Sequence, residues 1–185
     1  MNEDYRSKDV EAEMDETPSM EFNPRNFFKS FYHTSKAVLL SPKVFFAAMK
    51  KGGDFRGPFL YMAACVLFHV VIFGLLQKDP EIMLKTFFLG ILFPFITAGI
   101  LFGIVKRVFR AEGSYESAFR VNAYASAVNL VAWLPLVGLF FELYRVYLIV
   151  IGLSGAFSIR PSRSLLAVLI TMAVYIMVSA APGYL

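Results

Sequence analysis

Cysteine and histidine are nearly missing from these 185 residues: Cys65 stands alone, and the only histidines are His33 and His69. One thiol forms no intrachain disulfide, and a single cysteine inside an apolar run says nothing about redox compartment. Metal centres and general acid–base sites need His, Cys, Asp or Glu in convergent sets. Neither a His-Glu-x-x-His helix, a phosphate loop nor a nucleophile elbow occurs. The sequence therefore argues against an enzyme, a bound metal and a cofactor. Acids are also scarce beyond residue 21. Residues 1–21 carry eight acids against Arg6 and Lys8, a net −6, whereas the remainder holds 16 Lys or Arg against 6 acids, a net +10. Residues 1–22 have few aromatics and no periodicity, so disorder is expected for this acidic tail. It has neither a basic n-region nor an apolar h-region, and a cleaved signal peptide is not expected.

What the chain has in abundance is apolar length: 57% of residues are hydrophobic, 20 are Phe and only 17% are charged. A bilayer span needs roughly 20 mostly apolar residues to cross about 30 Å of hydrocarbon at about 1.5 Å per residue. Spans are predicted at about 58–77, 82–105, 118–134, 139–157 and 164–181. The polar turn Lys78-Asp79-Pro80-Glu81 separates the first two, and Ser114 can cap the third. Pro135 and Gly138 mark a hairpin into the fourth, and Arg160, Pro161 and Arg163 precede the fifth. Pro94, in mid-span two, removes the donor to the Gly90 carbonyl and predicts a kink. The fold class expected is an all-α membrane protein with five transmembrane helices preceded by amphipathic interfacial helices.

Those interfacial helices occupy 23–53, between the acidic tail and a membrane domain at 54–185. Asn23 reads as an N-cap with Pro24 after it, Pro42 breaks the segment in two, and Gly52 and Gly53 close it. Arg25, Lys29, Lys36, Lys43, Lys50, Lys51 and Arg56 form a basic collar suited to anionic headgroups, each contributing about 1 kcal/mol near such a surface. The basic residues flank apolar spans rather than interleave with stacking aromatics, so the implied partner is the lipid bilayer and not nucleic acid. With the N-terminus inside, 13 of the 16 Lys or Arg beyond the tail fall on the cytoplasmic side and only Lys78, Lys85 and Arg145 near the other. That bias predicts a cytoplasmic N-terminus and an external C-terminus.

Within the spans, Asn122, Ser126, Asn129 and Trp133 recur at i, i+4, i+7 and i+11, one polar stripe that should face the bundle. It reads either as interhelical glue or as the wall of a polar cavity for a small molecule or lipid headgroup. Glu142 and Arg145, three apart, can pair on one face near the outer interface; a gating or substrate-binding role is the alternative. His69 reads as a neutral hydrogen-bonding residue between helices. Gly99 with Gly103, and Ala123 with Ala127, are small pairs that permit close helix packing, within the protomer or across a homodimer.

Three stretches resemble the Yip-one domain family of five-span membrane proteins, named for interaction with Ypt and Rab GTPases. The first is Asp54-Phe55-Arg56-Gly57-Pro58-Phe59, similar to the family's Asp-Leu-Tyr-Gly-Pro signature. The second runs from Gly113 to Phe119 and on to Ala123-Tyr124-Ala125. The third is Trp133-Leu134-Pro135 with Gly138, then Tyr147, Leu148, Gly152 and Leu153. The short acidic tail and compact loops look like the prokaryotic branch, which implies the cell's inner membrane; a eukaryotic member would sit in a Golgi or ER membrane. The resemblance implies a cytosolic N-terminus, five spans, and association with itself or with other membrane proteins; it supplies no catalytic residue. A membrane-organising or partner-recruiting scaffold is the function expected, with a small transporter, channel or lipid-handling protein as the alternative.

Overall fold

The polar punctuation sets the helix ends. Asn23 accepts the Arg25 N–H through Oδ1 at 3.0 Å, and Pro24 opens a short 3-10 turn, Pro24–Asn26, that runs into α1, Phe27–Leu40. Pro42, which cannot continue a helix, starts α2, Pro42–Ala48, after the break at Ser41. The chain next forms α3, Arg56–Gln77, which ends where Lys78 turns left-handed and its N–H closes on the Gly74 carbonyl at 2.8 Å. Asp79 at once caps α4, Pro80–Val108, accepting the N–H groups of Glu81 and Ile82 at 2.9 and 3.2 Å. Ser114 caps α5, Tyr115–Ala125, which continues as a 3-10 segment, Ser126–Leu130. The last helices are α6, Gly138–Phe157, and α7, Pro161–Ser179. This is a computed structural model and describes residues 20–132 and 138–180; among the described residues there is no strand.

Four helices, α3, α4, α6 and α7, are long and apolar enough to cross a membrane. The predicted third span is not among them. It is divided into the 11 residues of α5 and the 5 of the 3-10 segment. The change falls at Ser126. There the Ser126 hydroxyl donates to the Asn122 carbonyl at 3.2 Å, and the Ser126 N–H reaches Ala123 rather than Asn122. Together the two pieces rise about 26 Å, at about 1.5 and 2.0 Å per residue. They are also enclosed: every residue from Ser117 to Val128 is buried. Helices α3, α4 and α6 pack around α5, while α7 closes the ring between α4 and α6.

The N-terminal helices are docked on this bundle. Phe46, buried, fills a notch on α6 where Gly152 stands: a Cβ there would come within 2.5 Å of Val121 and 3.1 Å of the Phe46 ring. Ser35 shares a hydrogen bond of 2.9 Å with Tyr61 of α3, and the Tyr144 hydroxyl donates to the Leu39 carbonyl at 2.7 Å. Phe22 is buried beside Phe27 and Tyr61. The last residues of the predicted acidic tail thus belong to the fold: Phe22 is buried and the Met20 carbonyl accepts the Thr34 hydroxyl at 3.0 Å, though the Met20 side chain is exposed, and residues 1–19 lie outside the described residues. The two small-residue pairs also part company. Ala123 and Ala127 are fully buried, whereas a Cβ added at Gly99 would meet only the Tyr115 ring, at 3.8 Å, and one at Gly103 would meet nothing within 4 Å outside its own helix.

Candidate functional site

Two places gather polar chemistry, one at each end of the bundle. At the end that carries α1 and α2, the head end, Arg120 of α5 is buried to 3% exposure. A guanidinium in that position needs compensation on several sides. Its Nη1 pairs with Glu21 Oε2 at 2.7 Å, its Nε with Glu116 at 3.3 Å, and its Nη2 donates to the Asp54 carbonyl at 2.9 Å. The Glu21 carboxylate also accepts the Lys50 N–H and, at 3.4 Å, the Tyr124 hydroxyl. Ser117 donates to the Lys51 carbonyl. One cation thus ties the chain before α1, the loop after α2 and the start of α5 together.

Several residues singled out by sequence meet here. Asp54 accepts the Arg56 N–H at 2.9 Å, Gly57 lets the Phe22 carbonyl approach to 3.2 Å of where a Cβ would stand, and Pro58 is buried in the first turn of α3. Gly113, at φ 154°, leaves the space that the Phe157 ring occupies. The Tyr124 ring packs on Phe45 at 4.9 Å and Tyr61 at 5.3 Å. Arg25, Lys29, Lys36, Lys43, Lys50, Lys51 and Arg56 are all exposed around this end, and Lys51 also donates to Ser158 at 3.1 Å. Arg120 and Glu21, which hold the cluster together, were not candidates in the sequence. The i,i+4 pair of Glu116 with Arg120 was the local signal for half of it; the Glu21 contact, 99 residues away, had none.

At the opposite, distal end lies a cavity of about 430 Å³ between α3, α4, the 3-10 segment and α6. His69, Asn129, Glu142 and Arg145 line it, with Thr86, Gly90 and Pro94. His69 donates from Nδ1 to the Asn129 carbonyl at 3.3 Å and stacks on Phe73. Glu142 and Arg145 do not form the ion pair expected from their spacing: among the described residues neither has a partner within 4 Å. A second cavity of about 330 Å³, towards α7, shares Phe93, Glu142 and Arg145 with the first and is crossed by the Thr97–Tyr175 hydrogen bond at 2.8 Å. The predicted polar stripe is divided. Asn122 and Ser126 bond to carbonyls of their own helix, at Ala118 and Asn122, rather than across helices, and Asn129 faces the larger cavity. Gly138 opens α6 at the cavity rim, while Trp133 and Pro135 lie outside the described residues. Among the described residues, no group of His, Cys, Asp or Glu could hold a metal ion.

The sequence profile of the Yip1 domain matches residues 36–181, from α1 to the end of α7. The chain belongs to the Yip1 domain family. No curated protein and no solved structure matches it. The matched region takes in all four long apolar helices and the Arg120 cluster apart from Glu21, so this Yip1-domain chain is a membrane protein whose helices contact lipid.

Proposed function

We propose that this Yip1-domain protein is a non-enzymatic scaffold that crosses the bilayer five times and presents its N-terminal helices as a fixed platform on the cytoplasmic leaflet. The five-crossing topology is supported by α5, which starts at the head end beside Glu21 and Lys51 and leads to Asn129 at the distal cavity. The observation that carries the scaffold reading is the face the docked helices leave uncovered. Phe28, Tyr32, Leu40 and Val44 are exposed there at 86, 63, 71 and 55%, interleaved with Lys29, Lys36 and Lys43. An apolar row edged with lysines suits an anionic membrane surface and the flank of another membrane protein, or of a second copy. Anchoring through Arg120 and Phe46 fixes its orientation, which a recruiting surface needs and a flexible tether does not supply.

A photo-crosslinking residue at Tyr32, in the full-length protein in native membranes, tests this. Discrete protein adducts, lost when Phe28 and Val44 become Asp, are expected. Solute flux in sealed proteoliposomes that is abolished by changing Asn129 or Glu142, with no protein adduct at Tyr32, would overturn it. The second reading, passage or handling of a small molecule or lipid within the bundle, is favoured by one observation: the charged distal cavity.

A further inference from the structure

Glu142 and Arg145 sit where lone charges are hard to sustain. Glu142 is four residues into α6 from Gly138 and Arg145 seven, about 6 and 10 Å along the axis. Thr86 is six residues into α4 and His69 eight from the end of α3, about 9 and 12 Å by the same rise. The four side chains occupy one shell just beneath the distal helix ends, around a cavity whose volume lies in the range of small-ligand sites. Charges at that depth are costly without a partner, yet these two do not neutralise each other.

We infer that the distal cavity binds a zwitterionic phosphoethanolamine group, its phosphate on Arg145 and its ammonium on Glu142. The planar guanidinium offers a fork of donors matched to two phosphate oxygens, and the Thr86 hydroxyl, on α4, is a further donor in the same lining. A primary ammonium has three donors to place. Glu142 takes one, and the Asn129 carboxamide oxygen can take another. The Gly90 carbonyl is a third acceptor, because Pro94 has no N–H to give to it four residues on. The cavity lining supplies both donors and acceptors, which a purely anionic or purely cationic ligand would leave half unmatched. Glu142 is exposed at the cavity mouth and flanked by exposed Leu139, Phe140 and Leu143, a flank that acyl chains can line. The site does not depend on the scaffold reading: failure of lipid binding leaves the Tyr32 crosslinks untouched, and the reverse.

Native mass spectrometry of the full-length protein in detergent, with equal amounts of phosphatidylethanolamine, phosphatidylcholine and phosphatidylglycerol, reads the preference directly. Wild type should retain phosphatidylethanolamine about tenfold over phosphatidylglycerol, the equivalent of one charge-assisted hydrogen bond. Glu142→Gln should abolish that preference while keeping phosphatidylglycerol, and Arg145→Gln should lower retention of all three. Arg145→Lys and Thr86→Val, milder changes that keep the fold if Arg145→Gln does not, should each weaken binding several-fold. Competition by soluble glycerophosphoethanolamine distinguishes the sources: displacement assigns the site to the free headgroup, and resistance assigns it to the whole lipid. Equal retention of the three lipids by wild type, or a preference unchanged in Glu142→Gln and in every folded Arg145 and Thr86 variant, overturns the inference.

Discussion

Replacing Glu21 by alanine should loosen the N-terminal helices from the bundle without unfolding the bundle itself. The carboxylate receives Arg120 at 2.7 Å, the Tyr124 hydroxyl at 3.4 Å and the Lys50 N–H, and its side chain is 11% exposed. Removing one partner of a buried ion pair costs about 3–5 kcal/mol, mostly because the other charge stays buried without compensation. Arg120 would keep Glu116 at 3.3 Å and the Asp54 carbonyl at 2.9 Å, so the lower end, about 3 kcal/mol, is expected. That is about a 100-fold rise in the population of the undocked head. Hydrogen exchange of the α1 amides in detergent reads this population, with α6 amides as the internal reference. Glu21→Gln should lose less than Glu21→Ala, because it keeps acceptor capacity while losing charge. If Glu21→Ala raises α1 exchange by less than about fivefold, equivalent to about 1 kcal/mol, Arg120 is not what holds the head and the reasoning fails.

The other expectations concern the same docking surface and its controls. Phe46→Ala should cost about 3–5 kcal/mol by emptying the Gly152 notch, and Gly152→Val about 1–3 kcal/mol by overfilling it, both measured by unfolding in mixed micelles. A double-mutant cycle of Ser35→Ala with Tyr61→Phe should show a coupling of about 1 kcal/mol between α1 and α3; zero coupling would mean the 2.9 Å bond adds nothing to docking. Lys85→Ala should change stability by less than about 0.5 kcal/mol, since its 2.6 Å pair with Glu81 is exposed on both sides.

Much of this architecture is legible in the sequence because the bilayer imposes a length rule on apolar runs. The predicted spans at 58–77, 82–105, 139–157 and 164–181 coincide within a few residues with α3, α4, α6 and α7, and Asn23 and Ser114 cap as their side chains suggest, while Asp79, read as part of a turn, caps as well. The segment at 118–134 reads as one helix from its apolar content, but the chain tightens from α to 3-10 at Ser126, a change that periodicity does not encode. Glu21 reads as part of an acidic tail because composition treats neighbouring acids alike. Only the folded chain brings it to Arg120. The pair of Glu142 and Arg145 shows the converse: helical spacing permits a salt bridge, yet the two side chains line the cavities without pairing.

The central claim, five crossings with a central α5, is tested most directly by single-cysteine labelling in sealed membrane vesicles of known sidedness. In a Cys65→Ser background, the substitutions Ser30→Cys, Asp79→Cys, Gly138→Cys and Ser162→Cys are exposed one at a time to a membrane-impermeant maleimide. Positions 79 and 138 should label from one side, and positions 30 and 162 from the other, the cytoplasmic side. Labelling of positions 30 and 138 from the same side would contradict the account, because α5 and the 3-10 segment would then not carry the chain across.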